Sequence, residues 1–436
     1  MGLGLLGRGL GDAIFLAEHG AELIVTDIRD EKTLAPSLAK LKKYNNIRYT
    51  LGQHNLEDFR NRDCILKAAG VPLDSPYIAE ARKRGIPVEM DASLFVKLMP
   101  EGATVIGVTG TRGKSTTAEL IYGILTAAKR RVFLSGVVHT ATLPLLTKVR
   151  TGDIVVLELD SWQLQGFHDA KISPQIAVFT TFLDDHLVYY KGDKKRYLED
   201  KTAIFRYQKK SDVLIAGEQA SPFVSSPNSV VARSTDIPKE WKVRLLGEHN
   251  RQNIACALAA ARALGVSDLV IKEVVERFKS VSGRLEYLRT IRGIKIYNDN
   301  NATTPDATIA ALKALSGICR SQTPTAAVGV WLLQKPRVVL IIGGTDKGLD
   351  ISKLVAEIPK HCKAVVMLKE SGTEKIKGSV RGIEKETLKE CVEEAMRTAK
   401  KGDIILFSPA LASFGRWFKN EYDRGEQFVK IVDKIK

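Results

Sequence analysis

Ten consecutive residues carry the strongest chemical signal in the chain: Gly107-Val108-Thr109-Gly110-Thr111-Arg112-Gly113-Lys114-Ser115-Thr116. They follow the apolar run Ala103 to Ile106 and precede the helical pattern TTAELIYGILTAAK, so the GxxxxGK[ST] pattern sits in the strand-loop-helix context it requires. Gly110, Thr111 and Gly113 belong to a loop whose backbone N–H groups close on phosphate oxygens, and the helix N-terminus adds partial positive charge. Lys114 supplies a point charge, and Ser115 or Thr116 can reach Mg²⁺. Binding of ATP or a related nucleoside triphosphate is expected.

Further residues have spacing suited to the same chemistry. Val155 to Leu159 reads as a buried strand carrying Glu158 at its end, the usual place for an acid that faces a nucleotide and its metal. Asp184-Asp185-His186 follows the strand QIAVFTTF, and a carboxylate with an imidazole there can ligate Mg²⁺, or Mn²⁺ in its place. Lys201, in YLEDKTAIF, falls on a helix, where the spacing alone reads as a solvated face. A second Gly-rich turn, Gly2 to Gly7, is followed by a helix, the strand ELIVT and Asp27, as in a dinucleotide fold. The strand that should precede this turn is missing, and the spacing to Asp27 suits a UDP group as well as NAD. Polar clusters mark three more tight loops: Gly247 to Asn253, Gly283 to Glu286 with Asn298 to Thr303, and Gly343 to Gly348. Lys347, past two glycines at a strand end, is placed to hold a carboxylate. Ser408 to Phe414 follows the strand DIILF and can aim hydroxyls at a cleft.

The elements that must position these residues are short apolar strands alternating with helical patterns: ELIVTD, ATVIGVTG, DIVVLEL, QIAVFTT, DVLIAG, RVVLIIGG, AVVML and DIILFSP. That rhythm predicts an α/β protein of parallel sheets covered by helices. With 436 residues the chain exceeds one hydrophobic core, and restarts of the Gly-rich turn divide it at 1–95, 96–280 and 281–436. Ser316 to Pro336 has no clear period and reads as a long surface loop. The composition, 44% hydrophobic and 27% charged with only short apolar runs, predicts a globular protein without membrane insertion. Five cysteines without ligand spacing exclude a zinc or disulfide framework and, with no signal peptide evident, suggest a cytoplasmic protein. The net charge of +16 favours anionic ligands; it is spread along the chain and lacks a nucleic-acid motif, so a nucleic-acid partner is not expected.

In this order, the motifs resemble the Mur ligases over essentially the whole chain. The short GLGxxG start, GTxGKST-like loop, GGxDKG and SPAxASF are most similar to the branch that adds D-glutamate. The resemblance implies three domains: a Rossmann-like UDP-binding domain, a central P-loop ATPase with a parallel sheet, and a Rossmann-like C-terminal domain that receives the amino acid. It also implies a monomer that joins D-glutamate to UDP-N-acetylmuramoyl-L-alanine through an acyl phosphate. Lys114, Ser115 and Thr116 would cradle ATP and Mg²⁺, and Glu158 and His186 would serve the metal. Lys201 matches the family's carbamylated lysine, which makes it a metal-binding anion and reverses the solvated reading. Asn250, Asn253, Arg284 and Asp299 would hold the nucleotide. Thr303, Lys347 and Ser413 would bind D-glutamate, while Leu5, Leu6, Asp27, Ile28 and Arg29 match positions around the uracil. The chain departs from the family pattern at Arg112 and Asn301, where Asn and Lys are usual, and in SGVVHTATLPLL, which lacks a GGNIG-like asparagine. GRWFKNEYDRG is one residue longer than the pattern, leaving the aromatic beside the amino acid as either Phe418 or Tyr422. Rival readings are a sibling ligase or folylpolyglutamate synthase, an NAD-dependent oxidoreductase, and a P-loop ATPase without ligase activity.

Overall fold

The computed structural model describes residues 1–5, 7–136, 140–185, 189–224, 226, 228–321, 337–413 and 415–435. Its chain gathers into two compact units, Met1–Lys239 with Gln252–Val275, and Glu240–Arg251 with Glu276–Lys436.

In the first unit, β1 (Leu23–Asp27) and β2 (Ile47–Leu51) form one parallel pair, and β3 (Ile65–Leu66) and β4 (Val88–Glu89) form another. The first residues of the chain run between the pairs. The amide of Gly2 donates to the Thr26 carbonyl at 2.7 Å, the amino group of Met1 to Leu66 at 2.9 Å, and the amide of Ala68 back to Met1 at 3.0 Å. Met1 and Gly2 thus link the two strand pairs through backbone hydrogen bonds. Gly7 then turns the chain into the helix Arg8–Glu18 with φ of 90°, a conformation that glycine adopts without Cβ strain.

The same unit holds a six-stranded, all-parallel sheet built from β5 (Thr104–Thr109), β6 (Val132–Ser135), β7 (Ile154–Glu158), β8 (Ile176–Phe179), β9 (Val213–Gly217) and β10 (Ser229–Ala232). The order is β10-β9-β8-β5-β7-β6. β5, β7 and β8 are apolar runs buried on both faces, as a helix-covered parallel sheet demands. Their neighbouring carboxyl ends bring the loops after Thr109, Glu158 and Phe179 together, the position where α/β sheets bind ligands.

The second unit contains β11 (Glu286–Ile291), β12 (Ile294–Asn298), β13 (Val338–Ile342), β14 (Cys362–Leu368), β15 (Ile383–Lys385) and β16 (Ile404–Phe407), in the order β11-β12-β16-β13-β14-β15. All pairs are parallel except β11–β12, a hairpin closed by Arg292 and Gly293, both at positive φ, as a two-residue turn matching strand twist needs. β11 is absent from the strands read in the sequence because it is half exposed and alternates, lacking an apolar run. Two apolar layers cover the sheet, one centred on Leu340 and Leu406 and the other on Ile341, Phe407 and Phe428. The helix Pro305–Ser321 takes in Ser316 to Ser321, which the sequence assigned to a loop; 322–336 lie outside the described residues. Among the described residues no helix is long and apolar enough to cross a membrane.

Candidate active site

The loop between β5 and the helix Lys114–Ala127 has the shape its sequence demands. Gly113 occupies the N-cap at φ 88°, and no side chain caps the helix, so its N-terminal amides face the loop. Both Lys114 and Lys201 converge on one loop carbonyl: their Nζ atoms donate to the Gly110 oxygen at 3.2 and 3.1 Å. Ser115 Oγ donates to Glu158 Oε1 at 3.0 Å, while Glu158 Oε2 is buried with no hydrogen-bond partner. A buried carboxylate oxygen left without a donor, beside a hydroxyl and the P-loop, is the donor chemistry a hard divalent cation takes up. The residues therefore fit Mg²⁺.

Lys201 is 1% exposed. It lies on the helix Lys194–Arg206, which Asp193 caps by accepting from the Arg196 amide at 3.0 Å. Tyr197, Lys201 and Ile204 fall on the buried stripe of this helix, so the solvated face suggested by its charges alone is not where Lys201 points. Asp200, beside it, is fixed by Gln165 at 2.7 Å and Tyr190 at 2.9 Å, which pins the helix. Burial, and then the neighbouring charge of Lys114, hold the Lys201 amine well below the usual lysine range.

Arg112, one of the departures from the family pattern, pairs with buried Asp185 at 3.2 Å. Asp185 thereby fastens the P-loop to the loop after β8, while Asp184 pairs with Lys194 at the surface at 2.6 Å. The Arg112–Asp185 pair was not legible in sequence, since neither residue signals its partner. His186 lies outside the described residues, as do Leu6 and 137–139 of the altered segment. Thr111 Oγ1 accepts from the Leu183 amide at 2.9 Å and meets Tyr197 Oη at 3.1 Å. Thr116 is buried in the first turn of the P-loop helix.

Asn253 backs the loop. A Cβ built on Gly113 would stand 2.1 Å from Asn253 Oδ1, so G113A meets both a clash and a disfavoured φ. It is expected to weaken ATP binding at least about tenfold and to cost about 1–3 kcal/mol of stability. Calorimetric ATP titration beside thermal unfolding checks this; wild-type affinity would contradict it. Near the chain start, Asp27 is 1% exposed and spends its carboxylate on the Gly4 and Arg29 amides, both at 2.9 Å, fastening the first Gly-rich turn to the end of β1. Leu5 and Ile28 are exposed apolar side chains, at 47% and 68%.

In the second unit, Lys347 Nζ donates to Thr303 Oγ1 at 3.3 Å, bringing two of the expected amino-acid residues together. Ser413 Oγ donates to Glu421 Oε2 at 3.4 Å. Asp299 accepts from the Leu285 amide at 2.9 Å and from Ser408 Oγ at 2.8 Å, so it holds the Arg284 turn and the loop after β16 in register. Asn301 Nδ2 donates to the Ser282 carbonyl at 3.2 Å, bracing that turn from the other side. Asn250 Nδ2 donates to the Leu246 carbonyl at 2.9 Å. Phe418 is buried in the core, whereas Tyr422 is only half-buried at the start of the helix Glu421–Asp433.

Comparison with known proteins matches three family models in succession: "Mur ligase MurD-like, N-terminal domain" at 1–89, "Mur ligase middle domain" at 108–222, and "Mur ligase, glutamate ligase domain" at 283–411. The UDP-N-acetylmuramoylalanine–D-glutamate ligase of Roseiflexus sp. (strain RS-1) is 34% identical, covering 100% of this chain and 98% of its own length. This chain belongs to the Mur ligase family. The enzyme of the same name from Borreliella afzelii (strain PKo) is 32% identical over 100% of this chain and 97% of its own. Among solved structures, UDP-N-acetylmuramate-alanine ligase MurC of Thermotoga maritima shares the fold with a TM-score of 0.61 at 20% identity, covering 100% and 98% of the two chains. MurF ligase from Thermotoga maritima in complex with ADP gives 0.59 at 18% identity over 87% and 96%. The three-domain Mur ligase architecture implied by the motifs is thus the architecture of this chain.

Proposed function

We propose that this Mur ligase joins D-glutamate to UDP-N-acetylmuramoyl-L-alanine, converting ATP to ADP and phosphate, as a cytoplasmic step of peptidoglycan precursor synthesis. Full-length relatives that carry this activity in their names support the reaction. The structural observation that supports the reading is Lys201, a buried lysine that shares the P-loop carbonyl of Gly110 with Lys114 and so stands at the phosphate loop. Its depressed basicity leaves more of the amine neutral at neutral pH, the form that takes up CO₂ as a carbamate.

The domain limits follow the sequence, near 95 and near 280. Ser115, Thr116, Glu158, His186 and the Lys201 carbamate would hold Mg²⁺ or Mn²⁺, which when bound neutralises charge on the reacting phosphate oxygens. Gly110, Thr111 and Gly113 shape the cradle in which Lys114 sets a fixed positive charge against the transferring phosphoryl group. Asn253 braces that cradle, and the family resemblance assigns nucleotide binding to Asn250, Arg284 and Asp299 as well. The Gly-rich start with Leu5, Leu6, Asp27, Ile28 and Arg29 receives the uridine diphosphate, Leu5 and Ile28 offering apolar surface to a flat base. The L-alanyl carboxylate of the UDP-linked substrate attacks the γ-phosphorus of ATP, the bond to ADP breaks and ADP leaves, and the carboxylate becomes an acyl phosphate. The amine of D-glutamate, held by Thr303, Lys347 and Ser413, then displaces phosphate to form the amide. Positioning and electrostatics suffice, since no side-chain nucleophile is involved.

Phosphate release tests this directly. The expected result is release that needs ATP, the UDP-linked substrate and D-glutamate together; release with ATP alone, indifferent to the other two, would replace the ligase with an ATPase.

A further inference from the structure

Arg424 lies on the helix Glu421–Asp433 and is wholly buried. Its guanidinium donates from Nε to Asn300 Oδ1 at 2.8 Å, from Nη2 to the Asn300 carbonyl at 2.9 Å, and from Nη1 to the carbonyls of Leu411 and Ala412 at 3.3 and 3.2 Å. All these acceptors are neutral amide oxygens. A buried cation without a hydrogen-bonded carboxylate is costly, and burial pulls this guanidinium down to about 9.

What the fork obtains is a junction of three loops. Asn300 sits between Asp299 and Thr303. Ala412 precedes Ser413 and exchanges backbone hydrogen bonds with Thr345 at 3.0 and 3.1 Å, two residues before Lys347. The junction is tight: a Cβ on Gly344 would meet the Ala412 carbonyl at 2.3 Å and Arg424 Nη1 at 3.2 Å. The Lys347–Thr303 contact closes the same ring of loops from the other side. A planar fork with five donors can span such loops, and a lysine cannot.

We infer that Arg424 is a positioning residue for the amino-acid site: its fork sets the mutual placement of Thr303, Lys347 and Ser413, and so governs affinity for the incoming amino acid but not activation of the UDP-linked carboxylate. The inference rests on the D-glutamate reading above. Its test uses the full chain carrying R424K and, as a second variant, R424Q, with KM measured separately for ATP, UDP-N-acetylmuramoyl-L-alanine and D-glutamate and with thermal unfolding as the check on folding. The expected result is a rise of about 10- to 100-fold in KM for D-glutamate with the other two within about twofold, because a small misplacement of binding groups costs on that scale. In R424A, millimolar guanidinium ion should recover part of the D-glutamate affinity, which loss of general stability would not allow. An unchanged KM for D-glutamate in folded R424K, or an equal rise in all three KM values, overturns the inference and leaves the ligase reading intact. A wild-type enzyme indifferent to D-glutamate would overturn that reading and, with it, this one.

Discussion

Replacing Lys201 with alanine is expected to lower kcat by about 10²–10³-fold, the scale on which a single preorganised electrostatic group acts in a closed site. The cause lies in its surroundings. The amine is buried, held toward its neutral form by desolvation and by Lys114, and directed at the P-loop carbonyl of Gly110. If Lys201 serves as a carbamate, an added short-chain carboxylate such as acetate should recover part of the lost activity in K201A, since it can return an anion to the cavity. Stripping CO₂ from wild-type solutions should lower activity, and bicarbonate should restore it. Steady-state rates with and without acetate measure the first effect. Full activity in K201A, or a loss that no carboxylate moves, would remove the carbamate from the mechanism.

The second large effect is expected at Glu158. E158Q keeps the shape of the side chain and can still accept from Ser115 Oγ, yet removes the charge that a buried, unpartnered Oε2 makes available to a cation. The predicted outcome is a fall in kcat of about 10²–10³-fold together with a higher Mg²⁺ requirement. Thermal stability should not fall, because neutralising an uncompensated buried oxygen removes a desolvation cost from the folded state. Mg²⁺ titration of activity and a melting curve decide it; a destabilised E158Q with unchanged Mg²⁺ dependence would make Glu158 a structural acid.

The nucleotide loop was legible almost completely in the sequence because its chemistry is local: glycines, lysine and hydroxyls lie within ten residues, and the neighbouring strand and helix follow from continuous apolar patterns. The eight apolar runs all became strands for the same reason. What escaped depends on partners distant in the chain. Lys201 was reached through the family resemblance and not through its charge pattern, although Tyr197 and Ile204, four residues before and three after it, place it on the apolar stripe of its helix. Arg112 and Asp185 are separated by 73 positions and Arg424 and Asn300 by 124, and no local pattern announces such pairs. β11 was hidden by its half-exposed alternation.

The D-glutamate reaction is tested by incubating the protein with ATP, Mg²⁺ and UDP-N-acetylmuramoyl-L-alanine, adding in turn D-glutamate, L-glutamate, meso-diaminopimelate, L-lysine or L-alanine, and weighing the nucleotide product by mass spectrometry. The expected product is heavier by one glutamyl residue with D-glutamate, and the substrate stays unreacted with the others. A product carrying another amino acid, or none in any mixture, would contradict it.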